Sequence, residues 1–336
     1  MDEQVKREKE IIKNSRDACR LHNNIITPVS EDEIAKINNT DFYKLLKIIE
    51  CSFSNEPTDT QIHNSFYEIA KIGAISEFSN VWLSNFRNNK NLFILKTPKD
   101  LEADNLLYHE FFIGVICLNK LRQWIPNFVY TFGIFRCGEP EMKSLDYSNL
   151  LCGYGNKVNY LILENIREGQ TWKSVISQNI NTEFVLSYIV QLTIALHWAL
   201  ENCDFSHHDL HGANILMKHI AIYRPSYIFM PLTKNKEEGG YYIRTNYIPM
   251  IIDFGTSHIK YLDEDFGYLD RYGYNNSSPA DDLYKLLGNT LLIIYNSGND
   301  IQYLLKMLLF FPFVKNVIER HGIEKFLKDE EPADLY

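Results

Sequence analysis

The stretch FSHHDLHGANIL, residues 205–216, is the part of the sequence that decides the fold. Asp209 is followed five residues later by Asn214, and the apolar pair Ile215 and Leu216 then indicates the start of a strand. This spacing suits a loop that holds one carboxylate at a reacting hydroxyl and one amide oxygen at a metal ion. Alone, the stretch is only suggestive of that chemistry.

A second carboxylate follows in MIIDFGTSH, residues 250–258. Asp253 comes directly after the apolar run of residues 250–252 and is followed by Phe254 and Gly255. A carboxylate at a strand end, next to a flexible glycine, is what a second metal-binding arm needs. The two stretches, in this order, form a strong signal.

Together these stretches resemble the protein-kinase-like superfamily. Four residues match its H-R-D-L-x-x-x-N pattern, namely His207, Asp209, Leu210 and Asn214. Residues 253–255 match D-F-G, whereas His208 stands where arginine is usual and His211 stands where protein kinases usually carry lysine. The D-L-H-x-x-N form looks more like the kinase-like proteins of large nucleocytoplasmic DNA viruses, and like small-molecule and atypical kinases.

The resemblance implies a role for each polar residue of these loops. Asp209 accepts or orients the proton of the substrate hydroxyl, while Asn214 and Asp253 hold Mg²⁺, which bridges phosphate oxygens of ATP. His211 takes the place of the lysine, either as a donor to the transferring phosphate or as a structural hydrogen-bonding residue.

Three further residues are expected to shape the loop without taking part in the chemistry. His207 braces the loop against Phe254. Asp282, in DDLYKLL, resembles the aspartate that opens the next helix and hydrogen-bonds the loop backbone. His208 stands in place of the arginine that often pairs with a phosphorylated activation loop. This difference argues against control by loop phosphorylation.

Short apolar runs from residue 66 onward predict the start of a small antiparallel sheet, with strands at residues 67–72, 80–83 and 92–96. The resemblance implies that the loop between the first two strands covers the phosphates of ATP. Gly73 matches one of the glycines of this loop, and Ser76 and Ser79 fall at or near other glycine positions, where small residues still permit close approach.

Lys96 ends FILK, which resembles the V-A-I-K strand of the family. The resemblance implies that it reaches the α- and β-phosphates, and the alternative is a surface lysine at a strand end. Glu110 is the expected ion-pair partner of Lys96 in the helix predicted over residues 101–120, with Glu102 as the competitor.

Composition and charge limit the class of protein. A formal net charge of −9 over 336 residues offers no basic field for nucleic acid and fits a basic acceptor better.

Six cysteines without CxxC spacing are expected to be mostly buried thiols in a reducing compartment. The charged N-terminal residues predict no signal peptide, and the uncharged run 184–200 fits a buried helix better than a membrane span. We expect a cytoplasmic chain, in the host cytoplasm or virion if it is viral.

The predicted fold is α+β, with a two-lobed protein-kinase-like architecture. Residues 1–65 are expected to form an N-terminal extension, helical or partly disordered, and residues 66–163 an N-lobe on a small antiparallel sheet. Residues 164–336 are expected to hold the hinge and a mainly helical C-lobe, with a hairpin inserted at about 218–249. The resemblance implies that backbone groups of Glu164 and Ile166 bind adenine, and that ATP lies between the lobes.

Within the extension, two segments have different patterns. Residues 1–17 are mostly charged, which indicates a solvated helix or disorder. Residues 31–50 have apolar residues at helical spacing and are expected to pack on the first lobe.

The resulting functional hypothesis is an ATP- and Mg²⁺-dependent serine/threonine protein kinase (EC 2.7.11.-), which moves the γ-phosphoryl group to a protein hydroxyl. One alternative is a small-molecule hydroxyl kinase, suggested by His211 and by the lack of a clear A-P-E motif. Another is a pseudokinase that acts as a binding scaffold, suggested by the glycine-poor loop. A scaffold has no need of four intact functional residues, namely Lys96, Asp209, Asn214 and Asp253.

Overall fold

The computed structural model describes residues 2–23, 62, 66–73, 78–86, 89–122, 124–140, 151–153, 155–167, 169–178, 182–220, 225–233, 239–267 and 279–297. The chain divides into two compact units. Unit 1 contains Met1–Asn119 and Tyr130–Asn165, and unit 2 contains Lys120–Val129 and Ile166–Tyr336. The predicted division between residues 163 and 164 lies two residues before the boundary between Asn165 and Ile166.

Unit 1 is built on a five-stranded antiparallel sheet. Its strands are β1 (Phe66–Ile72), β2 (Ser79–Phe86), β3 (Asn89–Pro98), β4 (Thr131–Gly138) and β5 (Lys157–Glu164). Their order across the sheet is β1-β2-β3-β5-β4, so consecutive strands are neighbours except where β5 lies between β3 and β4. The first three strands lie where the apolar runs predicted them.

Aromatic side chains form the core on one face of this sheet. Phe93 on β3 is almost fully buried, and its ring centroid lies 5.3 Å from that of Phe86 and 4.9 Å from that of Phe132. Phe135 stacks on Tyr160 at a centroid distance of 5.0 Å. Edge-to-face and stacked pairs of this kind add to the stabilisation that burial of the rings provides.

Two helices complete the described part of unit 1: α1 (Asp2–Asn23) and α2 (Leu101–Ile113). Asp100 caps α2, because its side chain accepts a hydrogen bond from the backbone N–H of Ala103 at 2.8 Å. α2 continues into a π-helical turn, Gly114–Leu118, and a short helical turn, Asn119–Leu121.

The first helix has the helical structure that was one of the two alternatives for residues 1–17, but it is not solvated on every face. α1 packs against α2, and Val5 and Ile12 on its inner face are each 3% exposed. The charged residues that dominate the sequence lie mostly on the opposite, exposed face. The predicted helix at residues 31–50 lies outside the described residues.

The prediction of free thiols was wrong for part of the cysteines. Cys137, at the end of β4, and Cys152 form a disulfide with their Cα atoms 5.1 Å apart. Cys117 and Cys203 are each part of a disulfide as well. The 15-residue separation of Cys137 and Cys152 in the sequence gave no short-range pairing signal. Cysteine usage therefore no longer argues for a reducing compartment.

Unit 2 combines helices with short strands. Its described helices are α3 (Trp172–Gln178), α4 (Thr182–Cys203) and α5 (Pro279–Asn296). β6 (Gln170–Thr171), β7 (Ile215–His219) and, farther along the chain, the strand Tyr247–Ile251 form a three-stranded sheet with β7 in the centre. With the antiparallel sheet of unit 1, this confirms the α+β class.

The segment between β7 and the strand Tyr247–Ile251 forms a hairpin of its own. β8 (Ser226–Pro231) pairs with β9 (Gly240–Thr245), and Tyr247–Ile251 is therefore β10. β7 and β10 pair directly with each other, so the β8–β9 hairpin is a separate two-stranded sheet rather than an extension of their ladder. Farther along the chain, β11 (Ile259–Tyr261) pairs with β12 (Glu264–Phe266).

The apolar run of residues 184–200 lies within α4. Among the described residues, Glu183–Cys203 is long and apolar enough to cross a membrane by length and composition alone. Just over half of its most apolar window is buried inside the structure, and the core helix of a soluble protein passes the same test.

We predict that Phe93→Ala lowers the free energy of unfolding by about 3–5 kcal/mol, because it removes a buried ring and leaves a cavity among its neighbours. Urea denaturation followed by intrinsic fluorescence measures this loss. Phe78→Ala is the matched control, since Phe78 lies in the same unit with 42% of its surface exposed. Equal losses in the two variants would contradict the assignment of Phe93 to the core.

Candidate active site

Asp282 holds the backbone of the loop between α4 and β7. Its carboxylate accepts hydrogen bonds from the backbone N–H groups of His207, at 2.6 Å, and His208, at 2.9 Å. Asp282 lies in the first turn of α5 and is 1% exposed. Burial raises its carboxyl pKa to about 6, against the opposing effect of His207 and the two backbone donors. The contact is the one predicted for this aspartate.

Two more side chains of α5 hold the same loop. Lys285 Nζ donates a hydrogen bond to the backbone oxygen of His208 at 2.7 Å. Asn289 Oδ1 accepts one from the backbone N–H of Gly212 at 3.1 Å. Sequence reasoning missed both residues. Their signal was the spacing i, i+3, i+7 from Asp282, which places three polar side chains on one face of a largely apolar helix.

His207 connects this loop to the segment that carries Asp253. Its Nδ1 accepts a hydrogen bond from the backbone N–H of Asp209 at 3.3 Å, and its Nε2 lies 2.9 Å from the backbone oxygen of Ile252. This pattern assigns the proton of the neutral ring to Nε2. The ring also contacts buried Phe254, with centroids 5.9 Å apart. His207 therefore braces the loop as predicted.

Asp209, Asn214 and Asp253 lie together in unit 2. Asn214 Nδ2 donates hydrogen bonds to the backbone oxygen of Asp209 at 2.8 Å and to its Oδ2 at 3.3 Å. The backbone N–H of Ile252 donates to the backbone oxygen of Asn214 at 3.1 Å, which brings Asp253 beside the loop. The carboxylate of Asp253 is close enough to oppose ionisation of Asp209.

Strained backbone conformations mark both segments. His208 has φ +64° and Asp253 has φ +66°, in the left-handed region that favours glycine. Such conformations persist only where surrounding contacts enforce them, and they concentrate at functional sites. At His208 the enforcing contacts are those of Asp282 and Lys285 with the loop backbone.

The electrostatics of the loop keep Asp209 ionised. Burial acts to raise the pKa of this carboxyl, but the hydrogen bond and electrostatic interaction with His211, together with a smaller interaction with His207, outweigh burial and hold the pKa below its usual value. More than half of the Asp209 side chain is exposed. Asp209 is therefore an ionised acceptor that is accessible from solvent at neutral pH.

His211 has a structural contact of its own. Its Nδ1 accepts a hydrogen bond from the backbone N–H of Ala213 at 3.1 Å, which caps the turn Gly212–Asn214. Its Nε2 lies 3.6 Å from Asp209 Oδ2, and the interaction with Asp209 raises the pKa of the imidazole. The hydrogen bond from Ala213 supports a structural role for His211. A contact of His211 with a phosphate stays a prediction.

The predicted metal ligands fit a hard cation. Among the described residues, the hydrogen bonds of the Asn214 side chain are made by Nδ2, which leaves Oδ1 to face a ligand. An amide oxygen and the carboxylate of Asp253 are ligand types that Mg²⁺ accepts together with substrate phosphates. The described residues contain no cluster of three or more His, Cys, Asp and Glu side chains that could hold a metal alone. A Mg²⁺ ion held by these two residues would need further oxygen ligands, such as phosphate oxygens and water.

Lys96 and Glu110 form a buried ion pair in unit 1. Lys96 Nζ on β3 lies 2.7 Å from Glu110 Oε2 on α2. Lys96 is 8% exposed and Glu110 is 1% exposed. The pair matches the expected contact, and the alternative of a surface lysine is wrong.

Two of the three small residues of the predicted phosphate loop lie among the described residues, and their surroundings differ. Gly73, directly after β1, is exposed and has φ +81°, a conformation that favours glycine. Ser79 is buried at the start of β2, opposite Pro98 on β3. Ser76 lies outside the described residues.

Glu164 and Ile166, the two residues predicted to contact adenine, each use one backbone group in a hydrogen bond within the chain. The N–H of Glu164 donates to the backbone oxygen of Tyr130 at 2.9 Å. The carbonyl of Ile166 accepts from the N–H of Gly169 at 3.0 Å. A contact of their remaining backbone groups with adenine stays a prediction.

Known proteins with similar sequences include viral proteins, and comparison with protein-family models finds no match. The chain is 29% identical over 209 residues to uncharacterized protein 035R of Invertebrate iridescent virus 3. It is 28% identical over 169 residues to uncharacterized protein 179R of Invertebrate iridescent virus 6. It is 26% identical over 219 residues to probable kinase 098L of Invertebrate iridescent virus 3.

These alignments cover 59%, 47% and 62% of this chain but 18%, 13% and 37% of the relatives, so the chain spans less than two fifths of their lengths. Among solved structures, it aligns with the crystal structure of the PF14_0431 kinase domain at 22% identity and a TM-score of 0.40, covering 59% of this chain and 52% of that one. The similarity to a probable viral kinase, with the loop residues above, supports a kinase-like chain.

We predict that His208 makes stability depend on pH. Burial, followed by the charges of His258, His207 and Lys285, lowers its imidazole pKa from 6.5 to about 4. As pH falls from 6.5 to about 4, the unfolded chain binds a proton that the folded chain does not bind. Through this group alone, the free energy of unfolding falls by about 3 kcal/mol over this window, a loss that is complete below pH 4, while the raised carboxyl pKa of Asp282 acts in the opposite direction.

His208→Asn removes this group while keeping a residue that tolerates positive φ. Urea denaturation at several pH values between 4 and 7 should show that, relative to the wild type, the free energy of unfolding of this variant falls less, or rises, as the pH is lowered. His219→Asn, on β7, is the control and should retain the dependence of the wild type. An unchanged pH dependence in His208→Asn would contradict the assigned burial effect.

Proposed function

We propose that this chain is an ATP- and Mg²⁺-dependent phosphotransferase that transfers the γ-phosphoryl group to a serine or threonine hydroxyl of a protein. The observation that carries the proposal is the arrangement of Asp209, Asn214 and Asp253 on two segments that α5 and His207 hold together. The similarity to a probable viral kinase supports phosphotransfer in general.

Asp209 is the proposed acceptor of the hydroxyl proton. The hydroxyl oxygen forms a bond to the γ-phosphorus while the bond from that phosphorus to the β–γ bridging oxygen breaks, and ADP leaves with the electron pair. The hydroxyl proton passes to the Asp209 carboxylate. The lowered pKa of Asp209 keeps the carboxylate ionised, and the bonds from Asn214 Nδ2 fix its orientation.

Asn214 Oδ1 and the Asp253 carboxylate are the proposed protein ligands of Mg²⁺. The ion, when bound, stabilises negative charge on the phosphate oxygens. His211 lies close enough to Asp209 to share this region, and its raised pKa favours a protonated ring that donates to an anionic phosphate. Protonation at Nδ1 requires loss of the hydrogen bond from Ala213, which opposes that role.

Lys96 is the proposed contact for the α- and β-phosphates. Glu110 holds its ammonium group at 2.7 Å, which limits the rotamers of a long side chain before ATP binds. A lysine that is already oriented loses less conformational entropy on binding.

A basic protein segment is the proposed acceptor. The formal net charge of −9 favours encounter with positively charged partners. A small-molecule hydroxyl and a binding scaffold without transfer are the competing functions, and the experiment below separates them.

We predict that the wild-type chain, with Mg²⁺ and γ-labelled ATP, labels serine or threonine in histone and not a panel of hydroxyl metabolites. Asp209→Asn and Asp253→Asn should each lower the rate by at least about 10²-fold, because they remove the proton acceptor and a metal ligand. Thin-layer separation of hydrolysed products identifies the labelled amino acid.

Asp263→Asn is the matched control, since it removes an exposed carboxylate that also has positive φ, here +62°. It should retain the activity of the wild type. Label on a metabolite would favour the small-molecule kinase. Absence of transfer, with no thermal shift on adding ATP and Mg²⁺, would favour the scaffold.

A further inference from the structure

The N-terminal helix α1 is positioned against the helix that carries Glu110. We propose that α1 holds α2 in the orientation at which Glu110 pairs with Lys96, and that Glu8 and His109 are the positioning residues of this contact. The inference deepens the proposed function and rests on it for its consequence for phosphoryl transfer. Its structural part concerns unit 1 alone.

One face of α1 is built to pack on α2. Val5, Glu8 and Ile12 follow the helical spacing i, i+3, i+7 and are all buried, with exposures of 3%, 0% and 3%. Lys6 and Glu10, which lie between them in the sequence, and Glu3, which precedes them, are exposed. A carboxylate in the middle of the buried face is costly to desolvate, so it needs a specific partner.

That partner is His109 on α2. Glu8 Oε1 lies 2.6 Å from His109 Nδ1, and both side chains are fully buried. Gln4 Nε2 donates a hydrogen bond to the same oxygen of Glu8 at 2.9 Å. Beside this pair, Lys9 Nζ lies 5.2 Å from the centroid of the Tyr108 ring. α1 thus contacts two successive residues of α2 through polar side chains.

His109 and Glu110 are consecutive residues of one helix, so their side chains leave the axis about 100° apart. His109 is bound to α1, and Glu110 is bound to Lys96 on β3. A rotation of α2 that separates Glu110 from Lys96 also displaces His109 from Glu8. The two buried pairs therefore stabilise the same orientation of the helix.

The first part of α2 is anchored to β5 independently of α1. Asp104, in the second turn, accepts hydrogen bonds from the backbone N–H and the Nδ2 of Asn159 on β5, at 2.8 and 2.9 Å. Glu110 lies six residues later, about 9 Å along the axis. Beyond it the helix turns into the π-helical Gly114–Leu118, whose wider hydrogen bonding interrupts the regular helix. Glu8 acts on the segment between the anchor and this interruption.

The direct test is the reactivity of the Lys96 amine toward formaldehyde and borohydride, measured by mass spectrometry on the full chain without nucleotide. Glu8→Ala should increase methylation of Lys96 by about 5- to 150-fold, the range typical of coupling between sites. Glu8→Gln, which keeps the size of the side chain, should give a smaller increase. Glu10→Ala, an exposed carboxylate of the same helix, should leave Lys96 as protected as in the wild type.

Transfer measurements separate positioning from a general loss of stability. Glu8→Ala should lower the rate of phosphoryl transfer, but in a Glu110→Gln background it should cause no further loss, because the pair through which it acts is already absent. A loss of equal size in both backgrounds would overturn the positioning role.

The methylation result stands apart from the proposed function. Protection of Lys96 in folded Glu8→Ala or Glu8→Gln equal to that in Glu10→Ala overturns the inference, whatever the transfer assay shows. Increased methylation in a chain whose wild type transfers no phosphate supports the coupling of α1 to Lys96 and overturns the proposed kinase activity instead.

Discussion

The hydrogen bonds from two successive backbone N–H groups to the buried Asp282 carboxylate are the interaction on which the candidate site depends. They hold His207 and His208 in a turn that the backbone of His208 adopts only under constraint, with φ +64°. Once that turn is fixed, Asp209 leaves the loop toward solvent while the ring of His207 points back to Ile252. The turn at His207 and His208 thus depends first on this one side chain of α5, and Lys285 and Asn289 of the same helix support the loop around it.

The site also illustrates how burial and charge are balanced. Asp282 is held in an environment that disfavours its ionisation, and its two backbone donors and the ammonium of Lys285 oppose that effect. Asp209 is partly exposed, and neighbouring imidazoles favour its charged form. Two aspartates of the same loop system thus serve different purposes, one as a structural acceptor and the other as the proposed proton acceptor.

In unit 1, two buried side-chain pairs involve the helix α2. Lys96, the proposed phosphate contact, forms a buried pair with Glu110, and Glu8 forms a second buried pair with His109 on another face of the same helix. Breaking one partner of a buried pair costs more than the pair contributes, because a desolvated charge remains. Such pairs therefore specify the position of α2 more than they raise the overall stability.

Local patterns predicted much of this arrangement. The apolar runs located β1 to β3, and the loop motifs pointed to Asp209, Asn214, Asp253 and the bracing Asp282. The packing of α1 was missed because most of its residues are charged and its buried face is narrow. That face is buried only by contact with α2, which the local sequence pattern of residues 1–17 does not indicate. The disulfide between Cys137 and Cys152 was missed because the two residues meet only where the chain turns back between β4 and β5, which no short-range spacing indicates.

Phosphorus NMR of the wild-type chain with ATP, Mg²⁺ and a histone acceptor tests the central claim most directly. The account predicts that the γ-phosphate resonance of ATP is replaced by that of a phosphomonoester on the acceptor, with matching growth of ADP. Formation of inorganic phosphate alone, or an ATP spectrum that stays unchanged while ATP binds, would contradict phosphoryl transfer to a hydroxyl by this chain.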